Sequence, residues 1–274
     1  MQILRQLIRE ITDTESRSLE DKYFGISQES LDALSKALLE MFGRHGEWMY
    51  SPGDPEVLEL RKRFRVPVEY IGGGAFRIVF LIGNDLVIKI STDSLGEEPW
   101  DPPANQMNQD DWTLGNDPDM RNIMPRAYKH AADWSWVVLE RVEPLEREED
   151  FFRFFRSSLL PDPLELSELG RERYAELIQV LLGMKNHALD RPIEMKDTVL
   201  SYFRGSELAR ETPDPEVPLL EIRKDLLRRS VAFRSLVIAL KRYNIRVSEI
   251  RADNIGIGSD GRLVLLDSSI FPDM

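Results

Sequence analysis

The chain lacks cysteine altogether and contains only three histidines, which removes several kinds of chemistry at once. Without cysteine there is neither a disulfide framework nor a thiolate nucleophile. The histidines, His45, His130 and His187, are scattered along the sequence and do not form a Cys/His zinc site. Any metal that the protein binds must therefore be held by oxygen ligands.

Long hydrophobic runs are also missing. No stretch reaches the roughly 20 apolar residues that a membrane-spanning helix requires. In the opening MQILRQLIREI, charges are spaced too closely for the apolar region of a signal peptide. We therefore expect a cytoplasmic protein that has no membrane partner.

Basic charge is in short supply, because 36 lysines and arginines stand against 48 acidic residues and leave a net charge of −12. A large nucleic-acid footprint needs a basic patch, so this balance argues against nucleic acid as a partner. Two short basic runs, RKRFR and RKDLLRRS, lie on predicted helices. We interpret them as solvated faces or as intramolecular partners of acidic residues, although a local basic groove is compatible with the total charge.

The residues that are present change character along the chain, whose 274 residues suffice for one large domain or two small ones. Apolar residues at helical spacing dominate the first 65 residues, and short β-branched runs dominate 68–91. This order predicts an α+β fold in three parts. They are a helical N-terminal extension at 1–65, a β-rich lobe at 66–142 and a helix-rich lobe at 143–274 that ends in a hairpin.

Finer patterns predict individual elements of the second and third parts. A helix is expected over 104–114, where Pro102 and Pro103 prepare its start. Helices over 166–189 and 218–244 are expected from the spacing of their apolar residues. Trp134 and Trp136 alternate at strand spacing, so we expect both to pack on or beside a sheet.

A glycine-rich segment, IGGGAFRIV at 71–79, precedes a strand pair that ends with Lys89 in LVIKI. Glycine has no Cβ, so its backbone amide can approach a phosphate closely. A lysine on the adjacent strand supplies a point charge for α- and β-phosphates. A single glycine-rich turn is a weak signal, and a flexible turn in a β-rich patch is the simple alternative.

A second segment, VSEIRADNIGIGSDGRLVLLDSS at 247–269, carries polar residues at both ends of a predicted hairpin. Asn254 precedes its first strand and Asp267 follows its second. A carboxamide and a carboxylate in these positions can converge on Mg²⁺, which prefers oxygen ligands and nucleotide phosphates. Two linked signals in this order favour a nucleotide site over two unrelated turns.

Together the two segments resemble the glycine-rich loop, strand lysine, catalytic loop and metal-binding aspartate of the protein-kinase-like superfamily, which includes aminoglycoside-phosphotransferase-like enzymes. The chain looks similar to compact kinase-like proteins of phages and other prokaryotic or viral genomes. The resemblance covers residues 68–142 and 219–271. It implies a bilobal kinase-like fold with a truncated C-terminal lobe, and ATP and Mg²⁺ as cofactors.

The resemblance also implies roles for individual residues. Glu249 stands where the family has its catalytic aspartate, and Arg251 stands where a lysine often lies. Asn254 and Asp267 take the places of the metal ligands. The residues implied in cofactor binding cover the phosphates, orient them or offer backbone groups to an adenine edge: Gly72, Gly73, Gly74, Ala75, Lys89, Glu140 and Val142.

The sequence departs from the family pattern at several of these places. Arg77 occupies the position of the usual third glycine. The extra methylene of Glu249 moves its carboxylate, and a shift of this size can cost on the order of 100-fold where positioning is the chemistry. Only seven residues follow Asp267, so we expect no activation segment.

The acidic partner of Lys89 stays open at this point. A carboxylate on the helix at 104–114 is one source, and the Pro-rich break before it is another. Asn108 would leave Lys89 without an ion pair if it stood at the position of the family's glutamate, and the acidic pair on the helix would then be a solvated face. The candidate carboxylates are Asp110, Asp111, Glu97 and Glu98.

Three functions remain. The first is an ATP-dependent phosphotransferase whose acceptor is a hydroxyl of a protein or a small molecule. The second is a pseudokinase that binds nucleotide, or nothing, and acts as an interaction module. The third is a structural or partner-binding protein, for example of a virus, in which 1–65 and 145–218 carry the role. Each includes a nucleotide or a protein as partner, and fold alone does not choose among them.

Overall fold

A computed structural model of the chain describes a set of segments that covers most of residues 26–266. The described residues are 26–43, 49–73, 76–92, 104–160, 162–183, 216–243, 245, 247, 250 and 254–266. They belong to two compact units. The first contains residues up to 112 together with 127–141, and the second contains 113–126 and the residues from 142 onward.

Helices and antiparallel strands are both present, so the predicted α+β class is confirmed. The helices are α1 Gln28–Gly43, α2 Pro55–Phe64, α3 Ala104–Asn116, α4 Glu148–Phe152, α5 Glu168–Gly183, α6 Glu216–Arg229 and α7 Val231–Arg242. The strands are β1 Val68–Gly73, β2 Arg77–Ile82, β3 Leu86–Ser91, β4 Ala127–His130, β5 Trp136–Glu140, β6 Glu143–Pro144, β7 Ile255–Ile257 and β8 Leu263–Leu265.

The first unit is built on a five-stranded antiparallel sheet with the order β1-β2-β3-β5-β4. Alternate side chains of a strand point to opposite faces, and one face here is apolar apart from Glu140 at the end of β5. Helices α1 and α2 pack on this face. Its buried apolar strand residues are Val68, Ile78, Phe80, Ile82, Leu86, Ile88, Ile90, Trp136 and Val138, and those from the helices are Leu31, Leu34, Leu38, Met41, Val57 and Leu60.

The two helices that cover this face begin where the sequence offers start signals. The Ser27 hydroxyl oxygen accepts the backbone N–H of Ser30 at 3.1 Å before α1, as expected for an N-cap residue. Pro55 opens α2 at a position where its missing N–H costs nothing. The Trp136 indole Nε1 donates to Asp32 of α1 at 2.9 Å, so this buried ring is fixed to the helix that covers it.

The second unit has a helical core and a small sheet with the order β6-β7-β8. Phe152, Phe155, Tyr174 and Phe233 are fully buried there, and the Tyr174 hydroxyl donates to the Phe155 carbonyl at 2.7 Å. In the part of the chain that the structure describes, no helix is both long enough and apolar enough to cross a bilayer.

The helix predicted over 218–244 is wrong in one respect, because it is two helices joined at Ser230. Ser230 has an extended backbone, and its hydroxyl accepts the N–H of Phe233 at 3.0 Å while donating to the Phe154 carbonyl at 2.6 Å. Both contacts fix the start of α7. The helix predicted over 166–189 begins at Glu168, and its described part ends at Gly183.

Gly256 marks a close approach of two strands in the second unit. A Cβ built on Gly256 would lie 2.5 Å from the Glu143 carbonyl oxygen and 2.5 Å from the Val142 side chain. Because real Cβ atoms do not come so close to backbone, the pairing of β6 with β7 requires glycine at this position.

Candidate functional site

Lys89 forms a buried ion pair on the second face of the five-stranded sheet. It lies in β3 between Val79 of β2 and Val137 of β5. Its Nζ donates to Oδ2 of Asp111 at 2.9 Å, and the two residues are only 8% and 3% exposed. Asp111 of α3 is therefore an acidic partner of Lys89, which settles one of the alternatives that the sequence left open.

Arg77 contacts the same carboxylate oxygen. Its Nη1 donates to Oδ2 of Asp111 at 2.7 Å, and Arg77 itself is 7% exposed. Arg77, Lys89 and Asp111 are called the buried triad below. One carboxylate thus joins the first residue of β2, the middle of β3 and the helix α3.

Sequence reasoning noted Arg77 only as a departure from the glycine pattern and did not assign it a partner. The signal that identifies it is strand periodicity. Arg77 lies two residues before Val79 and so shares its face of the sheet, and Val79 is directly opposite Lys89. Diagonal neighbours on one face lie within reach of long side chains, so one acidic group can serve both cations.

The electrostatics of the buried triad keep Asp111 ionised. Burial by itself raises the pKa of the Asp111 carboxyl, but the charges of Lys89 and Arg77 and their hydrogen bonds outweigh that effect. The pKa of Asp111 therefore lies below its usual range. The carboxylate fixes two positive groups in place on the strands beside the glycine segment.

The other polar residues of α3 have different partners. Asp110 accepts a hydrogen bond from Gln106 at 2.9 Å, and Asn108 donates to the Ser91 hydroxyl and the Trp134 carbonyl, each at 2.8 Å. Asn108, Asp110 and Asp111 are all less than 5% exposed, so the alternative of a solvated acidic face is wrong. The two glutamates of the Pro-rich break, Glu97 and Glu98, lie outside the described residues.

The described part of the glycine segment belongs to β1. The pairing of β1 with β2 shifts register between Tyr70 and Gly72, which is the signature of a bulge. A Cβ on Gly73 would lie 2.9 Å from the Tyr70 hydroxyl and 3.3 Å from the Arg77 carbonyl oxygen, whereas Gly72 has open space around it. Gly74 and Ala75 lie outside the described residues.

Glu140 and Val142 were expected to offer backbone groups to an adenine edge. Glu140 is opposite Leu86, so its side chain lies on the apolar face of the sheet and away from Lys89. The Arg141 amide donates to the Asp85 carbonyl at 2.8 Å, which extends the pairing of β3 with β5 to the end of the strand. Val142 directly precedes β6 in the second unit. Their role in binding adenine stays a prediction.

The predicted C-terminal hairpin is present in the second unit. Ile255 is opposite Leu265, and the Leu266 amide donates to the Asn254 carbonyl at 2.8 Å, so Asn254 lies at the open end of the hairpin. Asp267 follows Leu266 directly in the sequence. Among the described residues there is no cluster of three or more histidine, aspartate or glutamate side chains that could hold a metal.

The residues predicted to act in catalysis, and one of the two predicted metal ligands, lie outside the described residues. They are Glu249, Arg251 and Asp267, and their roles stay predictions. Asn254 has the donor type that Mg²⁺ prefers, because its side chain carries an amide oxygen.

Comparisons with known proteins find weak similarity to solved structures. No protein-family profile matches it, and no curated protein matches it. Solved structures do. A ternary complex of streptomycin, ATP and APH(2″)-IIa has 16% sequence identity and a TM-score of 0.32, with 80% of this chain and 71% of that one covered. A GDP and kanamycin complex of APH(2″)-IIia has 15% identity and a TM-score of 0.31, with 84% and 72% covered.

Both of these structures contain a nucleotide together with streptomycin or kanamycin. At these identities and TM-scores the similarity carries no argument about the fold or the activity of this chain. The argument for function therefore comes from the residues of the chain itself.

Proposed function

We propose that this chain is an ATP-dependent phosphotransferase of the protein-kinase-like type, which transfers phosphate to a hydroxyl of a protein or a small molecule. The observation that carries the proposal is the buried ion pair between Lys89 and Asp111. It joins a strand lysine to a helix carboxylate in the unit that also holds the glycine segment.

A buried ion pair of this kind needs a reason other than stability. Removing two charges from water costs several kcal/mol, and apolar residues of similar volume often serve the fold equally well. A lysine whose ammonium group is held by a carboxylate is instead suited to orient phosphates, because its charge has a fixed position. We therefore assign to Asp111 the role of holding the ammonium group of Lys89 in position.

The remaining roles follow the same chemistry. We assign the backbone of Gly72, Gly73, Gly74 and Ala75 to the phosphates, where the lack of Cβ at the glycines permits close approach. The oxygen ligands Asn254 and Asp267 fit a hard divalent cation. When bound, Mg²⁺ neutralises negative charge on the phosphate oxygens.

For the transfer itself, we assign Glu249 to accept the proton of the acceptor hydroxyl, as general bases in this position do. Arg251, two residues further on, would add a positive charge near the phosphoryl group that is transferred. The backbone of Glu140 and Val142 is assigned to the adenine edge.

A second candidate is nucleotide binding without transfer, as in a pseudokinase that acts on a protein partner. It is favoured by one feature of the sequence, the glutamate at 249 in place of the family's aspartate. The longer side chain displaces the carboxylate from the position that transfer requires.

Thermal unfolding with Mg²⁺-ATP tests nucleotide binding. We expect ATP to raise the melting temperature of the wild type, because a ligand that binds only the folded state stabilises it. Lys89→Met should abolish the increase. Lys62→Met is the matched control, since Lys62 is exposed on α2. Both proposals fail if ATP leaves the melting temperature of the wild type unchanged.

Transfer is measured separately, by following the γ-phosphate of labelled ATP into serine-containing proteins and small alcohols. Label in an acceptor that disappears with Glu249→Gln supports the first proposal. ATP binding with no label in any acceptor supports the second. Unchanged turnover of Glu249→Gln would show that another group is the base.

A further inference from the structure

A concave pocket of about 280 Å³ lies within the second unit and has four arginines in its lining. They come from three separate parts of the sequence. Arg153 follows α4, Arg156 lies three residues later, Arg229 ends α6, and Arg262 precedes β8. Because no strand or helix contributes two of them, their convergence is a product of the fold.

The lining of this pocket has the opposite sign to the chain as a whole. The protein carries a net charge of −12, yet no aspartate or glutamate is among the described residues that line the pocket. A concavity lined by one sign of charge focuses the field and concentrates ions of the opposite sign. An anion is therefore the class of ligand that this pocket attracts.

Neighbouring residues hold some of the arginines in place. Arg262 is the most buried of the four, with a side chain that is 13% exposed. Its guanidinium group donates to the Met124 carbonyl at 3.2 Å and to Asp260 at 2.8 Å. Arg229 donates to Asp225 through Nε at 2.8 Å. A guanidinium group carries five N–H donors, so the contact with Asp225 uses only one of the donors of Arg229.

The other two arginines are held less firmly. Arg153 contacts Asp150 at 3.4 Å, which is a long distance for an ion pair. Arg156 is exposed, and no carboxylate among the described residues pairs with it. The pocket thus combines two arginines in fixed positions with two that can adjust to a ligand.

We propose that this pocket binds the phosphate group of a phosphomonoester. Arginine recognises phosphate through paired N–H donors, which give both charge and direction. A volume of about 280 Å³ leaves room for such a group. The phosphate is carried either by a small metabolite or by a phosphorylated side chain.

This site is separate from the proposed nucleotide site. It uses none of the residues assigned to ATP, Mg²⁺ or proton transfer, and all its lining residues belong to the second unit. The site therefore stands or falls independently of the phosphotransferase proposal.

Calorimetric titration with inorganic phosphate, at constant ionic strength set with chloride, tests the site. We expect saturable binding to the wild type and a dissociation constant roughly tenfold higher or more in Arg156→Gln/Arg229→Gln, because each variant residue loses charge-assisted hydrogen bonds. Arg228→Gln is the matched control, since Arg228 is exposed on the same helix as Arg229 but does not line the pocket.

Two further measurements keep the outcome clear. Arg156→Gln alone removes a side chain without an ion-pair partner among the described residues, so weakened binding in this variant is not caused by a lost ion pair. Lys89→Met removes phosphate binding at the nucleotide site. The proposal is overturned if phosphate does not bind, if the double variant binds like the wild type, or if Lys89→Met alone abolishes binding.

The source of the phosphate is resolved by comparing three probes. Tighter binding of a phosphoserine peptide than of inorganic phosphate identifies a phosphorylated protein, and equal binding identifies a small phosphomonoester. Both results support the site. A peptide with glutamate in place of phosphoserine that binds equally well would overturn the assignment to phosphate.

Discussion

The two faces of the five-stranded sheet are made by alternate residues of the same strands, yet they serve different purposes. On one face Phe80 and Ile88 pack against α1 and α2, and the strand residues are apolar apart from Glu140 at the end of β5. On the other, Val79 and Val137 lie on either side of Lys89, and Asp111 of α3 completes the buried triad with Arg77. The first face is stabilised mainly by apolar burial, whereas the second also fixes charges in position.

This difference separates residues that the fold needs from residues that the proposed activity needs. An apolar contact gains free energy from burial whatever its partner is. A buried charge gains only if its partner is in place, and removing one partner leaves the other with its full desolvation cost. Substitutions on the two faces should consequently change the free energy of unfolding by different amounts and with a different dependence on pH.

The largest effect is expected from Asp111→Ala, because it leaves Lys89 and Arg77 buried without the carboxylate that they share. Breaking a buried ion pair in this way costs about 3–5 kcal/mol of unfolding free energy. Denaturant unfolding of the variant and the wild type at pH 7 measures the difference.

The comparison is sharpened by the triple variant Arg77→Met/Lys89→Met/Asp111→Leu. With all three charges removed, we expect most of the lost unfolding free energy to return while the thermal response to Mg²⁺-ATP stays absent. A triple variant as unstable as Asp111→Ala would show that the buried triad supports the fold directly.

An intermediate effect is expected from Arg77→Met, which removes one of the two cations but leaves Lys89 paired with Asp111. The loss of a hydrogen bond between charged groups costs about 1.5–3 kcal/mol. The variant also removes one cause of the low pKa of Asp111, so that pKa should rise.

The pH dependence of this variant follows from the sign of the shift. The pKa of Asp111 is lower in the folded chain than the value of about 3.9 in an unfolded one. Its stabilisation is complete above that value and is lost as the pH falls through the folded pKa. Unfolding measured from pH 6 to 2 should show a loss that begins at the same pH in both proteins but is smaller and is complete at a higher pH in Arg77→Met; identical profiles would contradict the assignment.

The smallest effect is expected from Ile88→Val on the apolar face. Removal of one buried methylene costs about 0.5–1.5 kcal/mol. No titratable group is involved, so the difference from the wild type should be the same at pH 3 and pH 7. A difference that changes with pH would show that the two faces are not independent.

The sequence predicted much of this architecture because local signals and tertiary packing agree. The strands β2 and β3, and the hairpin of β7 and β8 that follows Asn254, are present where their sequence patterns predicted them. Lys89 was identified from its place after the glycine segment. In these regions alternation and turn residues determine the structure together.

Partnerships between distant residues were harder to predict. Lys89 had several candidate carboxylates, and only the packing of α3 against the sheet brings Asp111 to it. The partnership of Arg77 is not visible in the glycine motif, because it depends on which side chains share a face of the sheet. The break at Ser230 was missed because helical spacing of apolar residues continues through it, while its contact with the Phe154 carbonyl is tertiary.

The contact at Gly256 has a consequence for how relatives of this chain could be recognised when overall identity is low. A methyl group there would collide with the Glu143 carbonyl, whereas Gly72 has open space at the same place. Mutation can therefore replace the glycine at 72 at little steric cost but is blocked at 256 for as long as β6 pairs with β7. Glycine at 256 should therefore be retained for a steric reason that does not depend on nucleotide binding, whereas glycine at 72 is retained only for as long as the proposed contact with phosphate is needed.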